Sequence, residues 1–281
     1  MFSSRFVKGC VLTITYGILV TEGTIYRSAN GPANPEYVLV EDPGMTRISV
    51  GADNILWGLK EDETVWQLLN NVWVQKPGRY AEFSALDRNT AWGVNKFGHV
   101  GRFDTSSWDR VQGYLVALGA SRNDQTEYVW GYNVHNDIQF CAYDSLKRSC
   151  QWNKIERSPE LENRTVVSVA ATGDGKGFGL FEPRDQIGYP VYVYDKGRWT
   201  KLGESLLHLV GTAANYITGV NSRGEVRMAH MDRLNEWTVL DNFQTTPECA
   251  TVGEQIWVLA GAYAQTRNNT VTYEQVFETV S

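Results

Sequence analysis

A repeat of short alternating runs constrains this chain more than any other feature. TITY (13–16), RISVG (47–51), EFSAL (82–86), LVALG (115–119), VVSVA (166–170), LHLVG (207–211) and CATVG (249–253) recur roughly 33 to 51 residues apart. Each is followed by a turn and a second run, such as NILWGLK, NTAWGVN, EYVWGYN or NYITGVN. A third run follows in every unit, and a fourth in six of the seven, often built around Trp. Alternation with period two, broken by Gly, Asn and Asp, means antiparallel strands, four to a unit. Four-stranded units recurring at about 40 residues predict an all-β fold: a single seven-bladed β-propeller over residues 1–281. No long stretch carries the i, i+3, i+4 spacing of a helix, and a β-sandwich is the alternative fold.

The last unit runs out after its third run, at Ser281, while Ser4-Arg5-Phe6-Val7-Lys8-Gly9 resembles a fourth. The expectation is that this N-terminal strand completes the last blade and closes the ring, removing exposed edges. The aromatic residues read as structure. Trp57, Trp92 and Trp130 recur at one register of the second strand, and Trp73, Trp108, Trp152, Trp199 and Trp237 in the fourth. A side chain repeated at one register has one shared task, here filling the wedge between blades.

Charge excludes several classes of function. With 32 acidic against 26 basic residues the chain has no electrostatic footprint for nucleic acid. No stretch approaches the roughly 20 apolar residues of a membrane span, and the N-terminal apolar residues alternate with polar ones, unlike a secretory leader. A cytoplasmic protein is therefore expected, with no nucleic-acid or membrane partner. Cys141 and Cys150 could face each other across a hairpin, although a reducing compartment argues against a bridge. The four histidines (His99, His135, His208, His230) fall on separate units without ligand spacing, so no metal is expected. No phosphate-binding loop, nucleophile elbow or dinucleotide fingerprint occurs in its required context, so no cofactor is expected either.

The turns Trp92-Gly93-Val94-Asn95 and Trp130-Gly131-Tyr132-Asn133, with Ile48-Ser49-Val50-Gly51, resemble tectonin-type repeats. The third runs resemble those of the fungal fucose-binding lectins; Val226-Arg227-Met228-Ala229-His230-Met231-Asp232 is the nearest match. That resemblance implies a sugar held by an Arg of this strand, with a Glu and an aromatic ring nearby. The same register here carries Tyr26, Trp66, Gly101, Gln139, Tyr192, Arg227 and Thr272, so one unit alone keeps the Arg. A multivalent lectin draws avidity from equivalent sites, and that repetition is missing. Arg227 is left either as one residual sugar contact or as an ion-paired strand residue. In size and eroded sugar motifs the chain also resembles lectin-like fungal propellers that act as hetero-Diels–Alderases.

Without equivalent rim sites, a ligand is expected at the mouth of the central channel. The second position of the first runs reads Ile14, Ile48, Phe83, Val116, Val167, His208 and Ala250, so one imidazole interrupts an apolar column. The position before it holds Arg47 and Glu82 on neighbouring units, at equal depth, where they could pair. Tyr80 and Tyr114 precede their first strands and are placed near the mouth. Tyr132, His135 and Arg184 are placed in connections between second and third strands, which should reach the same face. Two readings follow. In one, His208, Glu82, Arg47, Tyr80 and Tyr114 are catalytic in a cofactor-free cycloaddition that holds two reactants in near-attack geometry. Tyr132, His135, Arg184 and Arg227 would then bind an apolar or carbohydrate ligand. In the other, the chain is a carbohydrate-binding lectin with few surviving sugar sites; a protein-interaction platform is a third possibility. The longest unit carries its excess near residues 144–164, a candidate lid.

Overall fold

The structure, a computed structural model, describes residues 24–28, 37–40, 44–123, 126–211, 216–242, 247–252 and 255–260. Five blades are each drawn from one continuous stretch. The N-terminal strands β1 (Thr24–Ser28) and β2 (Tyr37–Val40) precede them. Blade 1 follows with β3 (Met45–Val50), β4 (Leu56–Lys60), β5 (Thr64–Leu69) and β6 (Val72–Arg79). Blade 2 holds β7 (Glu82–Asp87), β8 (Thr90–Val94), β9 (His99–Asp104) and β10 (Ser107–Tyr114). Blade 3 holds β11 (Ala117–Arg122), β12 (Glu127–Tyr132), β13 (Ile138–Tyr143) and β14 (Asn153–Lys154). Blade 4 holds β15 (Val166–Ala171), β16 (Gly177–Phe181), β17 (Tyr189–Asp195) and β18 (Arg198–Leu206). Blade 5 holds β19 (His208–Gly211), β20 (Tyr216–Val220), β21 (Glu225–His230) and β22 (Thr238–Asn242). A sixth sheet is composite: β23 (Pro247–Val252) and β24 (Gln255–Ala260) are joined by β1 and β2 in the order β23-β24-β1-β2.

The seven-bladed expectation is therefore corrected. The runs 24–28 and 37–40 of the first unit and 247–260 of the last are two halves of one blade, counted separately because alternation does not distinguish half a sheet from a whole one. The two ends of the described chain share this blade, with β1 and β2 completing it. The segments 4–9, 13–16 and 271–278 lie outside the described residues. The inner strands then close a ring, β3 against β7, β11, β15, β19 and β23 in succession and back to β3.

Local chemistry explains the repeat. Asn95, Asn133 and Asn221 end the second strands of blades 2, 3 and 5, and each side-chain oxygen accepts two backbone N–H groups across the following turn. That asparagine turn needs a left-handed residue just before the third strand, supplied by Gly98 (φ 81), Asn136 (φ 66) and Gly224 (φ 78). The second-strand glycines have a packing reason. A Cβ on Gly58, Gly93, Gly131 or Gly219 would strike Met45, Tyr80, Leu115 or Leu206, the residue three before the inward column of each first strand.

Trp57, Trp92 and Trp130 are fully buried, as expected of wedge residues. Their indole N–H groups reach forward to the next blade, donating to Asp87 O (3.1 Å), Glu127 Oε2 (2.7 Å) and Gly175 O (3.2 Å). Two of the fourth-strand tryptophans reach backward: Trp108 donates to Pro77 O (2.8 Å) and Trp152 to Gln112 O (2.5 Å). Burying one such ring contributes roughly 4–6 kcal/mol before ordering costs.

Cys141 and Cys150 form a disulfide, Cα atoms 5.7 Å apart, across a hairpin closed by the Asp144–Ser149 bridge. The hairpin that β13 enters sets this proximity whatever the compartment. The 155–164 stretch is no lid over the channel. Leu161 is buried in the core between blades 3 and 4, and the Arg157 guanidinium donates to the carbonyls of Asn136, Leu161 and Arg164.

Candidate functional site at the propeller hub

The register of each blade fixes which side chains share a level in the channel. Ile48, Phe83, Leu118, Val169 and Leu209 each pair with the second-strand glycine, at Gly58, Gly93, Gly131, Gly179 and Gly219. The residues immediately before them are therefore equivalent: Arg47, Glu82, Ala117, Ser168 and His208. His208 thus belongs with Arg47 and Glu82, one register from its expected column. Connections of unequal length between blades, and a bulge in β15, hide that equivalence in the sequence.

These five residues line a cavity of about 290 Å³ in the central channel, together with Tyr132 and, one turn of the pleat deeper, Ser49 and Ser84. Arg47 and Glu82 form the anticipated ion pair, at 2.8 Å. The pair is partly open: the side chains are 43% and 24% exposed. Among the described residues no further hydrogen-bond partner holds the other donors of Arg47 or the second oxygen of Glu82, and both residues line the cavity. Tyr132 pairs with Ala117, whose small side chain leaves the ring room to lean toward the channel. Its hydroxyl donates to Val167 O at 3.3 Å.

The cavity walls perturb three of the groups that line it, Glu82, His208 and Tyr132. Burial pushes the Glu82 carboxyl above its ordinary range, with Arg47 pulling the other way. Desolvation, and then the Arg47 charge, pushes the His208 imidazole below its ordinary range, although the ring remains open to channel water. Burial and the Glu82 charge raise the Tyr132 phenol, against Arg47. These shifts favour a neutral imidazole and a neutral phenol at neutral pH, beside the Arg47–Glu82 pair.

Sequence reasoning missed the serines. Ser49 Oγ accepts from Ala85 N (2.9 Å), and Ser84 Oγ accepts from Ala120 N (3.1 Å) and donates to Ala120 O (3.2 Å), stitching neighbouring inner strands. The signal was present: each serine follows its charged residue by two, on the same strand face.

Other expected site residues lie elsewhere. Tyr80 is a plug under Gly93 and Gly101, its ring 3.8 Å from that of Trp108, and burial raises its phenol to about 12. It aligns with Leu115, not Tyr114. Tyr114 points outward, 60% exposed, with its ring 5.2 Å from His99. His135 is exposed on the β12–β13 turn, beside a separate hollow of about 330 Å³ against the 154–162 stretch. Arg184 is exposed on the β16–β17 connection. Arg227 is the ion-paired alternative: its Nε and Nη2 donate to Glu204 Oε2 of blade 4 at 2.9 and 2.6 Å. No cluster of potential metal ligands occurs among the described residues.

The tectonin domain family matches residues 44–179, which span blades 1 to 3 and part of blade 4. No curated protein matches the sequence. Among solved structures, the N-terminal domain of Nup159 superposes with a TM-score of 0.52 at 10% identity, covering 78% of this chain and 76% of that one. YCF48 bound to D1 peptide gives 0.45 at 14% identity over 81% and 82%, and YCF48 from Cyanidioschyzon merolae 0.46 at 10% over 89% and 98%. The fold is a β-propeller, and over residues 44–179 the chain is similar to the lectin-like tectonin domains. Neither connects the chain to a cycloaddition catalyst.

Proposed function

We propose that this protein binds carbohydrate through a single site at the hub. The carrying observation is the half-open Arg47–Glu82 pair. It offers donors and an acceptor side by side, the complement of two adjacent sugar hydroxyls, each of which both donates and accepts. Because the pair is internally compensated, it favours a neutral saccharide over an acidic one. Tyr132 adds an aromatic face, and His208 a neutral group able to donate or accept. The cavity of about 290 Å³ lies at the small end of ligand pockets, which suits one sugar ring. The tectonin match supports this reading over cycloaddition, which would want an apolar cavity for two reactants. Calorimetric titration with neutral sugars, after a glycan-array survey, tests it. Binding abolished by Arg47→Ala and weakened by Glu82→Gln is expected; silence of the native protein across the array sinks it.

A further inference from the structure

Outside the cavity, three aromatic rings lie in a row on blade 2, the two end rings exposed and the middle one half-buried. Phe97 is 69% exposed and Tyr114 60%. The His99 ring lies between them, 6.3 Å from Phe97 and 5.2 Å from Tyr114. The row is continuous with the hub. Val116, itself 41% exposed, donates its backbone N–H to Tyr132 O, and Ala117 lines the cavity. From Ala117 to Tyr114 is three residues, at most about 11 Å of chain. Leu115 N donates to Gly98 O, which fastens the Phe97 turn beside Tyr114.

Resting on the hub reading above, we infer that the Tyr114–His99–Phe97 row is a second subsite, which takes the sugar units that follow the hub-bound ring. The site then selects the end of a linear oligosaccharide over a free monosaccharide. The row has the character such a ligand needs. Sugar rings present apolar C–H faces to aromatic planes and hydroxyls to the edges. Here each end ring has a cation at hand: Lys96 Nζ lies 5.5 Å from the Phe97 centroid, and Arg110 Nη2 donates to Tyr114 Oη at 3.3 Å. The centre of a protein-docking patch is, by contrast, depleted in lysine.

The test compares methyl glycosides of glucose, mannose, galactose and N-acetylglucosamine with their linear trisaccharides, by calorimetry on the full chain. Each stacked ring is expected to raise trisaccharide affinity roughly two- to twelvefold over the monosaccharide. Tyr114→Ala and Phe97→Ala should bring that ratio toward one, and Tyr114→Phe should keep it, since the ring and not the hydroxyl stacks. A native ratio of one, or a ratio indifferent to Tyr114→Ala, overturns the subsite while leaving the hub reading standing. Failure of every sugar to bind the native protein removes both. A dimer in sedimentation that Phe97→Ala dissolves would assign the row to a second copy instead.

Discussion

Two Arg–Glu pairs in this propeller look alike in sequence and differ in what surrounds them. At the seam between blades 2 and 3, Arg102 Nε and Nη2 donate to both oxygens of Glu127 at 2.8 and 2.7 Å, and the side chains are 10% and 8% exposed. Trp92 adds a third donor to Glu127, and the Arg102 guanidinium lies 5.0 Å from the Tyr143 centroid. Burial opposes the Arg102 charge, yet the bond and charge of Glu127 outweigh it and hold the group above its ordinary range. At the hub, Arg47 and Glu82 share one contact among the described residues and line a cavity. The seam pair is complete and buried; the hub pair shows one contact among the described residues and is the proposed ligand contact. Arg227–Glu204 belongs with the seam.

The largest effect should come from breaking the seam. Glu127→Ala leaves a buried guanidinium and the Trp92 N–H without their acceptor, and should cost about 3–5 kcal/mol in denaturant unfolding. A loss under about 1 kcal/mol would show that the seam pair is no more structural than the hub pair. The same core contains Cys141 and Cys150. Reduction of that bridge, which closes a short loop, should cost about 2–3 kcal/mol and be seen as a lowered Tm with dithiothreitol. An unchanged Tm, with two free thiols counted by alkylation and mass spectrometry, would remove the bridge from the account.

Breaking the hub should scarcely alter stability. Arg47→Ala exposes no unpaired charge to a dry core, so a change within about 1 kcal/mol is expected, with sugar binding lost. A large destabilisation there would erase the contrast between the two pairs. Acidification sharpens it further. Glu82 protonates above the ordinary glutamate range, so binding should fall at higher pH than for a surface glutamate. Its raised folded-state pKa means that its own contribution to stability is present at low pH and lost as pH rises through that value. His208, depressed, works oppositely: its contribution is present above the ordinary histidine range and lost as pH falls below it. Binding that fades with acid in step with Glu82, and not at all in Glu82→Gln, is the expected profile.

The site was partly legible beforehand. Arg47 and Glu82 lie at the same offset in successive units of similar length, so their pairing could be read from the repeat. His208 could not be placed correctly, because connections of unequal length between blades break the count by which columns are aligned. Tyr80 and Tyr114 look equivalent as tyrosines just before a first strand. They differ by one residue in register, and in a strand one residue reverses the face.

Sequence alone determined the strands, their grouping in fours, the asparagine turns and the task of the recurring tryptophans. Each of these depends on period-two alternation or on hydrogen bonds a few residues apart, so the information is local. Tertiary structure decided that six sheets close the ring, that the two ends of the described chain share one of them, and that His208 joins the charged level of the hub. It also decided which arginines are already satisfied. Those outcomes depend on contacts between residues far apart in the chain, where each partner is set by how the ring closes and not by its neighbours in sequence.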